Sequence, residues 1–430
     1  MNNNTDNDKI GIEIPFGDEK LSFAIPRKNF AEIIDPKPWP GIPDVERGAK
    51  EALSSPIGLP STKEWIKPGS SVVILCDDNT RPTPADKLLP PLLDHLNAAG
   101  VPDSSILIII ALGTHRYMTE REIETKVGKG VTSRVKVINH EWRDENNLAD
   151  LGKTSQGTPL MVNRRIMECD ALVALGSIVP HHIPGFSGSS KIIQPGVCGP
   201  LTTAAIHFLS CKLGDMFLGV ADNPVRRDMD EMADRVKLKA ILNVVLNIDG
   251  ETAGVFWGDF RAVFKRGVEL CEKIYGVPYH ENADIVIAGS HPCDLDFWQA
   301  HKSIYPAQKI VKKGGVIVIA TPCGEGISPV HTDLADYAGR SSKALVEGFE
   351  SGELKDGVGA SLATAWAIAR EKADIITFSP GITKEDKEKL GHVHAPSLTW
   401  AIEEAFRRQG ENARVTVLPH SPDTLPMNAQ

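Results

Sequence analysis

The sequence predicts an α/β protein made of two α/β domains with mostly parallel sheets. Short apolar runs recur along its 430 residues, and many are apolar throughout rather than alternating. This pattern is typical of parallel strands that are covered on both faces. Helical patterns lie between the runs and indicate layered strands and helices. At about 150 residues per domain, the length suggests two or three domains.

Each predicted element rests on such a run or on helical periodicity. The predicted strands occupy residues 72–75, 106–112, 135–138, 171–175, 285–288, 316–320 and 375–378. The predicted helices occupy residues 84–99, 261–275, 341–352 and 361–371.

A domain boundary is predicted near residues 276–282, where a helix stops at a glycine, the polar PYHEN follows and a new strand opens. We therefore expect an N-terminal α/β domain over 1–278 and a C-terminal α/β domain over 279–412. Residues 413–430 form a strand and tail. This strand either closes the second sheet or returns to the first domain.

Composition excludes several classes of protein. The net charge of -9 argues against a general nucleic-acid partner. Seven scattered cysteines without a CxxC pair argue against a disulfide framework or a structural zinc site. The polar N-terminus does not resemble a signal peptide, and the longest apolar run is too short to span a membrane. We expect a cytoplasmic protein, and the oligomeric state stays open.

Polar side chains follow four of the predicted strands. In open parallel sheets, ligands bind outside the carboxyl ends of the strands, so these side chains define a candidate site. They are Asp78, Thr80 and Arg81 after the first strand, His115 after the second, His181 and His182 after 171–175, and His291, Trp298, Gln299, His301 and Lys302 after 285–288.

Each of these residues also has a structural interpretation. A single histidine after a strand is more often a hydrogen-bonding residue of a turn or core. Asp78 with Thr80 and Arg81 suits a turn with a local salt bridge. Lys191 suits a solvated lysine and Trp298 a core residue. The joint placement favours function.

The segment 171–208 concentrates chemically active groups. Its glycine-serine loop, GFSGSSK, suits close approach of backbone N–H groups to an anion, although it matches neither a phosphate-binding loop nor a nucleophile elbow. Lys191 suits charge neutralisation or covalent attachment. His207 is a suitable metal ligand, but one imidazole cannot hold a metal alone. His181 and His182 project in opposite directions if the chain is extended.

Together these motifs resemble the nickel-dependent lactate racemase family of 2-hydroxyacid racemases and epimerases. The matching elements are DNTR at 78–81, GTHR at 113–116, HHIPGFSGSSK at 181–191, His207 and WQAHK at 298–302. They occur in the family's order and cover most of the chain. The resemblance implies two α/β domains with the site in the cleft between them.

The resemblance also implies a nickel-pincer nucleotide, pyridinium-3-thioamide-5-thiocarboxylic acid mononucleotide with nickel. Lys191 would then form the thioamide link, and His207 would supply the fourth ligand of a square-planar nickel. Proteins that synthesise the cofactor are expected partners, since they must load it. The other expected cofactor contacts are Asp78, Thr80, Ser187 and Gly188.

The implied reaction is reversible hydride transfer from the α-carbon of a small 2-hydroxyacid. His115 and His181 match the family's two bases, one for each enantiomer, and imidazole exchanges protons near neutrality. The expected substrate contacts are Arg81, Trp298, Gln299 and Lys302.

Two positions depart from the lactate racemase pattern. Trp298 stands where a tyrosine is expected, which puts lactate in doubt as the preferred substrate. The loop reads GSSK where that enzyme has a GGRK-like sequence, so a cation near the cofactor phosphate is missing. The roles of His182, His291 and His301, and the choice among aliphatic, malate-like and sugar acids, stay open.

Two other classes of function compete with this one. A nucleotide- or metabolite-binding α/β protein without catalysis would not need both His115 and His181. A metal-dependent hydrolase or lyase would use these histidines with Asp78 around an ion, at ligand distances of about 2.0–2.2 Å, and would leave Lys191 and His207 unexplained.

Overall fold

Two compact α/β units make up the computed structural model, which describes residues 8–213, 217–280 and 282–429. The N-terminal unit contains residues 38–274. The C-terminal unit contains the chain up to residue 37 together with the chain from residue 275 onward. The mixed α/β class with mostly parallel sheets is confirmed.

The strands within these described residues are short, as the apolar runs predict. They are β1 Lys9–Phe16, β2 Glu19–Pro26, β3 Phe30–Ile33, β4 Val72–Cys76, β5 Ile106–Ile110, β6 Lys136–Asn139, β7 Leu148–Lys153, β8 Pro159–Asn163, β9 Ala171–Ser177, β10 Pro180–His181, β11 Gly185–Phe186, β12 Leu238–Leu246, β13 Thr252–Gly258, β14 Gly276–Tyr279, β15 Ala283–Gly289, β16 Val311–Ala320, β17 Asp374–Phe378, β18 Val393–Ala395, β19 Val415–Leu418 and β20 Leu425–Asn428.

The helices alternate with these strands along most of the chain. They are α1 Val45–Ser54, α2 Thr62–Trp65, α3 Ala85–Ala98, α4 Glu120–Val127, α5 Lys129–Thr132, α6 Pro200–Lys212, α7 Pro224–Arg235, α8 Phe260–Tyr275, α9 Phe297–Ala300, α10 Ile304–Ile310, α11 Leu334–Tyr337, α12 Ser342–Glu350, α13 Gly357–Lys372, α14 Lys384–Lys389 and α15 Leu398–Gln409.

The N-terminal unit is built on a six-stranded sheet with the order β13-β12-β9-β4-β5-β6. Only its edge strand β13 runs antiparallel to its neighbour. Every residue of β4 is buried, because alternate side chains enter two separate cores. Ile74 packs in one core with Leu92 of α3, and Val73 packs in the other with Val263 of α8.

The C-terminal unit is built on a fully parallel sheet with the order β18-β17-β16-β15-β19-β3. Strand β19, the last strand of this sheet in chain order, lies between β15 and β3. The strand expected at 414–419 therefore closes the second sheet. The final strand, β20, pairs in parallel with β14.

The N-terminal residues differ from the expected domain over 1–278, because they lie in the C-terminal unit. β3 pairs with β19, and the side-chain amide of Asn29 donates to the backbone oxygens of Glu411 and Ala413 at 2.8 and 2.9 Å. Ile14 of β1 shares a core with Ile287 of β15. The short FAEI of β3 carries no apolar run, so periodicity does not predict it.

None of the helices in the described ranges combines the length and the apolar character that crossing a bilayer requires.

A fully buried histidine follows β6 in the N-terminal unit. Nε2 of His140 lies 3.1 Å from the backbone oxygen of Cys198, and Nδ1 lies 2.9 Å from the side-chain nitrogen of Asn163. The neutral ring satisfies both contacts, with Nε2 donating and Nδ1 accepting. Burial lowers the pKa of His140 to about 4.

We predict that His140 makes the N-terminal unit less stable in mild acid. Between its unfolded pKa of about 6.5 and its folded pKa of about 4, only the unfolded chain binds the proton, so the free energy of unfolding falls as the pH falls. Between pH 7 and pH 5 the expected loss is about 2 kcal/mol. Urea titrations at pH 7 and pH 5 measure it. His140→Gln should flatten the pH dependence, and equal slopes in both proteins would contradict the prediction.

Candidate active site

Three loops at one edge of the N-terminal sheet carry the candidate residues. Strands β9, β4 and β5 are neighbours in the sheet and run parallel. The loops that follow them contain His181, Asp78 and His115. Because parallel strands end at a common edge, the three segments lie where open α/β sheets bind ligands.

Asp78 and His115 form a close pair at this edge. Nδ1 of His115 lies 2.7 Å from Oδ2 of Asp78, and the side chains are 30% and 5% exposed. Burial acts to raise the pKa of Asp78, but His115, Arg81 and Thr80 outweigh it and hold this pKa well below its usual range. The ionised carboxylate accepts the Nδ1 proton, so the neutral imidazole presents a lone pair at Nε2.

Thr80 and Arg81 complete a tight turn around Asp78. The Thr80 hydroxyl donates to Oδ1 of Asp78 at 2.6 Å, and its backbone N–H donates to the same oxygen at 3.2 Å. Nη1 of Arg81 donates to the backbone oxygen and the hydroxyl of Thr80, both at 3.1 Å. The structural interpretation of Asp78 as a turn residue is therefore correct, and the turn also positions His115.

A second buried carboxylate, Asp77, anchors the same loop from the other side. Nζ of Lys126 on α4 lies 3.0 Å from Oδ1 of Asp77, and the Thr83 hydroxyl donates to Oδ2 at 2.5 Å. The same ammonium donates to the backbone oxygens of Arg81 and Thr83 at 2.7 and 3.0 Å. Lys126 therefore fixes both ends of the loop that presents Asp78.

His181 and His182 lie side by side, contrary to the opposed directions expected of an extended chain. Their rings stack with centroids 4.6 Å apart and an interplanar angle of 13°. Strand β10 ends at His181, and the chain then turns. The backbone N–H of Ile183 donates to Nδ1 of His181 at 3.2 Å, so a neutral His181 carries its proton on Nε2.

The glycine-serine loop is fixed by its own hydroxyls. The Ser187 hydroxyl donates to the backbone oxygen of Ser177 at 2.9 Å and accepts the backbone N–H of Val179 at 2.9 Å. Ser187 is thus used within the protein, although it is an expected cofactor contact. Gly188 has φ +74°, and an added Cβ would lie 2.5 Å from Cγ1 of Ile178. This position requires glycine.

The buried guanidinium of Arg226 forms hydrogen bonds with alternate residues of this loop. Nη1 of Arg226 on α7 donates to the backbone oxygen of Gly188 at 3.2 Å and to the Ser190 hydroxyl at 3.0 Å, and Nη2 donates to the backbone oxygen of Phe186. Ser190 in turn donates to Asp230 at 2.5 Å. Burial lowers the pKa of Arg226 to about 10, with Asp230 opposing this.

Lys191 and His207 are both half-buried and lie on neighbouring elements of the chain. Lys191 belongs to the short 3-10 turn Ser189–Ile192, and His207 lies on α6. Among the described residues, no group of three or more His, Cys, Asp or Glu side chains can hold a metal ion.

Trp298, Gln299 and Lys302 occupy successive turns in the C-terminal unit. The Asp296 side chain caps α9 by accepting the backbone N–H of Gln299 at 2.8 Å, and Nζ of Lys302 donates to Oε1 of Gln299. The Trp298 ring stacks on His331 with centroids 4.2 Å apart. The side chain of His301 differs from these, since it is buried.

His301 has a packing role in the C-terminal unit. It is 3% exposed, its Nδ1 lies 2.9 Å from the Tyr305 hydroxyl, and its ring contacts Trp366. His331 is held by Asp356, with 2.5 Å between Nδ1 and Oδ2. The Asp356 carboxylate therefore holds the His331 ring on which Trp298 stacks.

Two family models match this chain. The model described as the lactate racemase N-terminal domain matches residues 16–215, and the lactate racemase C-terminal domain model matches residues 279–423. The lactate racemase of Thermoanaerobacterium thermosaccharolyticum is 33% identical over 321 residues, which cover 73% of this chain and 75% of that protein. This chain belongs to the lactate racemase family.

The similarity extends over nearly the whole chain. The lactate racemase of Lactiplantibacillus plantarum is 28% identical over 425 residues, which cover 95% of this chain and 98% of that protein. The solved structure of the lactate racemase apoprotein from Thermoanaerobacterium thermosaccharolyticum matches with a TM-score of 0.84 and 27% identity, covering 97% of this chain and all 100% of that one.

The lactate racemase family models and the two structural units divide the chain differently. The N-terminal model begins at residue 16 and therefore includes β2 and β3. In the structure, β3 belongs to the sheet of the C-terminal unit. The N-terminal family model therefore includes part of the C-terminal unit, because that unit is made of two separate stretches of the chain.

Two buried cations of the site, Lys126 and Arg226, were not predicted from the sequence. For Arg226 a signal exists, because Val225, Met229 and Met232 mark the buried face of α7 and Arg226 lies three residues before Met229. No comparable signal marks Lys126, whose helix is rich in charged residues.

We predict that Arg226→Met loosens the glycine-serine loop. The variant leaves the oxygens of Phe186 and Gly188 without these donors, and each lost buried hydrogen bond costs about 1–3 kcal/mol. Hydrogen exchange of the backbone amides in 185–191 should accelerate by about tenfold or more. Arg227→Met is the matched control, because the Arg227 side chain is 65% exposed. Equal exchange in both variants would disprove the role.

Proposed function

We propose that this protein is a racemase or epimerase of 2-hydroxyacids, with a nickel-pincer nucleotide as cofactor and two histidines as acid and base. Membership of the lactate racemase family supports an isomerase that acts on hydroxy acids. The observation that carries the proposal is the pairing of His115 with buried Asp78 at the sheet edge where His181 also lies.

The reaction must break a C–H bond that is a poor acid. When bound, the nickel-pincer nucleotide supplies a carbon that takes up and returns the hydride of the α-carbon. The substrate passes through a planar 2-keto acid, and restoring the C–H bond on the opposite face inverts the centre. The protein's task is to hold the acid and to move its hydroxyl proton.

The side chains of the N-terminal unit fit this cofactor. Lys191 offers one amine for a covalent tether, and His207 offers one imidazole for nickel. No group of described side chains can hold a metal without further ligands, and a pincer cofactor brings those ligands itself. Arg226 fixes the loop that leads to Lys191 by donating to the backbone oxygens of Phe186 and Gly188.

In this proposal a neutral His115 is the proton acceptor. Its Nδ1–H is held by the ionised Asp78, so its Nε2 lone pair is ready to take the hydroxyl proton. The carboxylate also stabilises the imidazolium that forms.

His181 presents the opposite tautomer. Its Nδ1 accepts the N–H of Ile183, so Nε2–H faces its surroundings as a donor. One substrate enantiomer thus meets an acceptor at His115 and a donor at His181. For turnover of the other enantiomer, the proton of His181 must move from Nε2 to Nδ1, which breaks the Ile183 contact and leaves a lone pair at Nε2 to take the hydroxyl proton.

Arg81, Gln299 and Lys302 are the proposed contacts for the substrate carboxylate and the developing oxyanion. A guanidinium binds a carboxylate through two parallel hydrogen bonds. The bond between Lys302 and Gln299 joins two of these side chains. Trp298 supplies a flat apolar surface in place of a tyrosine hydroxyl, and proteins that make the cofactor are the proposed loading partners.

We predict that His115→Ala and His181→Ala each lower racemisation by at least about 100-fold, because positioned proton transfer contributes about 10²–10⁴-fold. Chiral chromatography of a panel of 2-hydroxyacids after incubation with cofactor-loaded protein measures the loss. The exposed His280, whose side chain is 73% exposed, provides the control His280→Ala. Unchanged activity in either active-site variant would refute the two-base mechanism.

We predict that Lys191 carries the cofactor covalently. Intact-mass spectrometry of protein produced with the cofactor-making proteins should show an added mass in the wild type. Lys191→Ala and Lys191→Arg should both lack it, because arginine keeps the charge but cannot form the same link. Lys129→Ala, at an exposed lysine, should retain it. An added mass that persists in Lys191→Arg would place the tether elsewhere.

A further inference from the structure

A second group of polar side chains lies at the carboxyl edge of the C-terminal sheet. β15, β19 and β3 are adjacent and parallel. His291 follows β15, His420 follows β19 and Asp35 follows β3. Three neighbouring strands therefore deliver polar groups to the edge where open α/β sheets bind ligands.

Both histidines of this group are held by carboxylates through Nδ1. Nδ1 of His291 lies 3.2 Å from Oδ2 of Asp294, and Nδ1 of His420 lies 2.9 Å from Oδ1 of Asp35. The imidazole rings are 6.2 Å apart. Because the carboxylates fix the Nδ1 side, each ring directs its Nε2 away from its partner.

The side chains of this group are accessible. The exposed fractions are 38% for His291, 20% for His420 and 30% for Asp35. The backbone N–H of Gly17 holds Asp294 in place by donating to Oδ2 at 3.1 Å. The group is therefore both ordered by hydrogen bonds and open to a ligand.

Lys302, a proposed contact for the substrate carboxylate, adjoins the group. Its Nζ lies 3.9 Å from Sγ of Cys293, two residues after His291. The backbone N–H of Asp423 donates to the backbone oxygen of His420 at 3.1 Å, and burial raises the pKa of the Asp423 carboxyl to about 6 against the charges of His420, Lys302 and His291. A substrate held by Lys302 thus has this group beside it.

The chemistry of the group selects hydroxyls rather than a second carboxylate. Asp35 and Asp294 lie against the two imidazoles, so a further anion there would meet these two carboxylates. Hydroxyl groups both donate and accept, and they match carboxylate oxygens and imidazole nitrogens. A purely aliphatic substituent would desolvate the Nε2 atoms of both imidazoles without giving them a hydrogen-bond partner.

We propose that His291, His420 and Asp35 form a hydroxyl-binding subsite, and that the substrate is a polyhydroxylated 2-hydroxyacid of the sugar-acid class. This inference rests on the proposed function. It assigns the subsite to the end of the substrate remote from the carboxylate, whereas Lys302 and Gln299 serve the carboxylate itself.

Three acids with the same four-carbon skeleton test the proposal with cofactor-loaded protein: 2,3,4-trihydroxybutanoate, 2-hydroxybutanoate and malate. We expect kcat/KM for the trihydroxy acid to exceed that for 2-hydroxybutanoate by at least about 100-fold, because a site built to bind hydroxyls rejects analogues that lack them. Preference for 2-hydroxybutanoate or for malate would overturn the proposal.

Variants test whether the preference for the trihydroxy acid depends on the subsite. His420→Ala should reduce the ratio of the two kcat/KM values by at least about tenfold. His280→Ala is the matched control, because His280 is also paired with a carboxylate, Glu32, at 3.1 Å, but lies outside the group. If His420→Ala does not fold, Asp35→Asn carries the same test. A ratio equal to that of the control would overturn the assignment.

Binding separates this proposal from the proposed function. Absence of turnover of all three acids and of lactate by loaded wild-type protein would refute the racemase function. Titration calorimetry with the same protein then decides the subsite. Binding of 2,3,4-trihydroxybutanoate at least about tenfold tighter than 2-hydroxybutanoate upholds the subsite, and equal binding of the two acids overturns it.

Discussion

Two adjacent buried carboxylates at the end of β4 impose the main constraint on the N-terminal unit. A buried charge is costly unless it is paired and hydrogen-bonded. Asp77 is paired with Lys126 of α4, and Asp78 is paired with His115 of the neighbouring loop. Asp77 therefore ties α4 to the end of β4, and Asp78 ties the loop after β5 to it. The contact between Asp78 and His115 also fixes the tautomer of His115, the proposed base.

The elements of the sheet could be predicted from sequence because burial on both faces leaves a strong signal. β4 and β9 are apolar runs, and all their residues are buried. The unit boundary could not be predicted in the same way. β3 has four partly exposed residues and depends on its partner β19, almost 400 residues away in the chain. Pairing over such a separation leaves no signal in the short β3 segment that would identify its partner.

The site shows a similar division between local and distant contacts. His115 and His181 follow strands directly, so the sheet topology predicts their common edge. Arg226 reaches the glycine-serine loop from α7, and Lys126 reaches Asp77 from α4. Such long side chains are usually solvated, and composition alone does not show that they are buried. The burial of Arg226 against the GSSK loop is thus visible only in the structure.

One motif, an imidazole held through Nδ1 by a carboxylate, recurs at both sheet edges. It occurs at His115 with Asp78, at His291 with Asp294 and at His420 with Asp35. The carboxylate fixes the tautomer in each case and leaves Nε2 for other groups. In the N-terminal unit the carboxylate is deeply buried and its pKa is held low, which suits proton transfer. In the C-terminal unit both imidazoles are accessible, and the same motif leaves two Nε2 positions for hydrogen bonds.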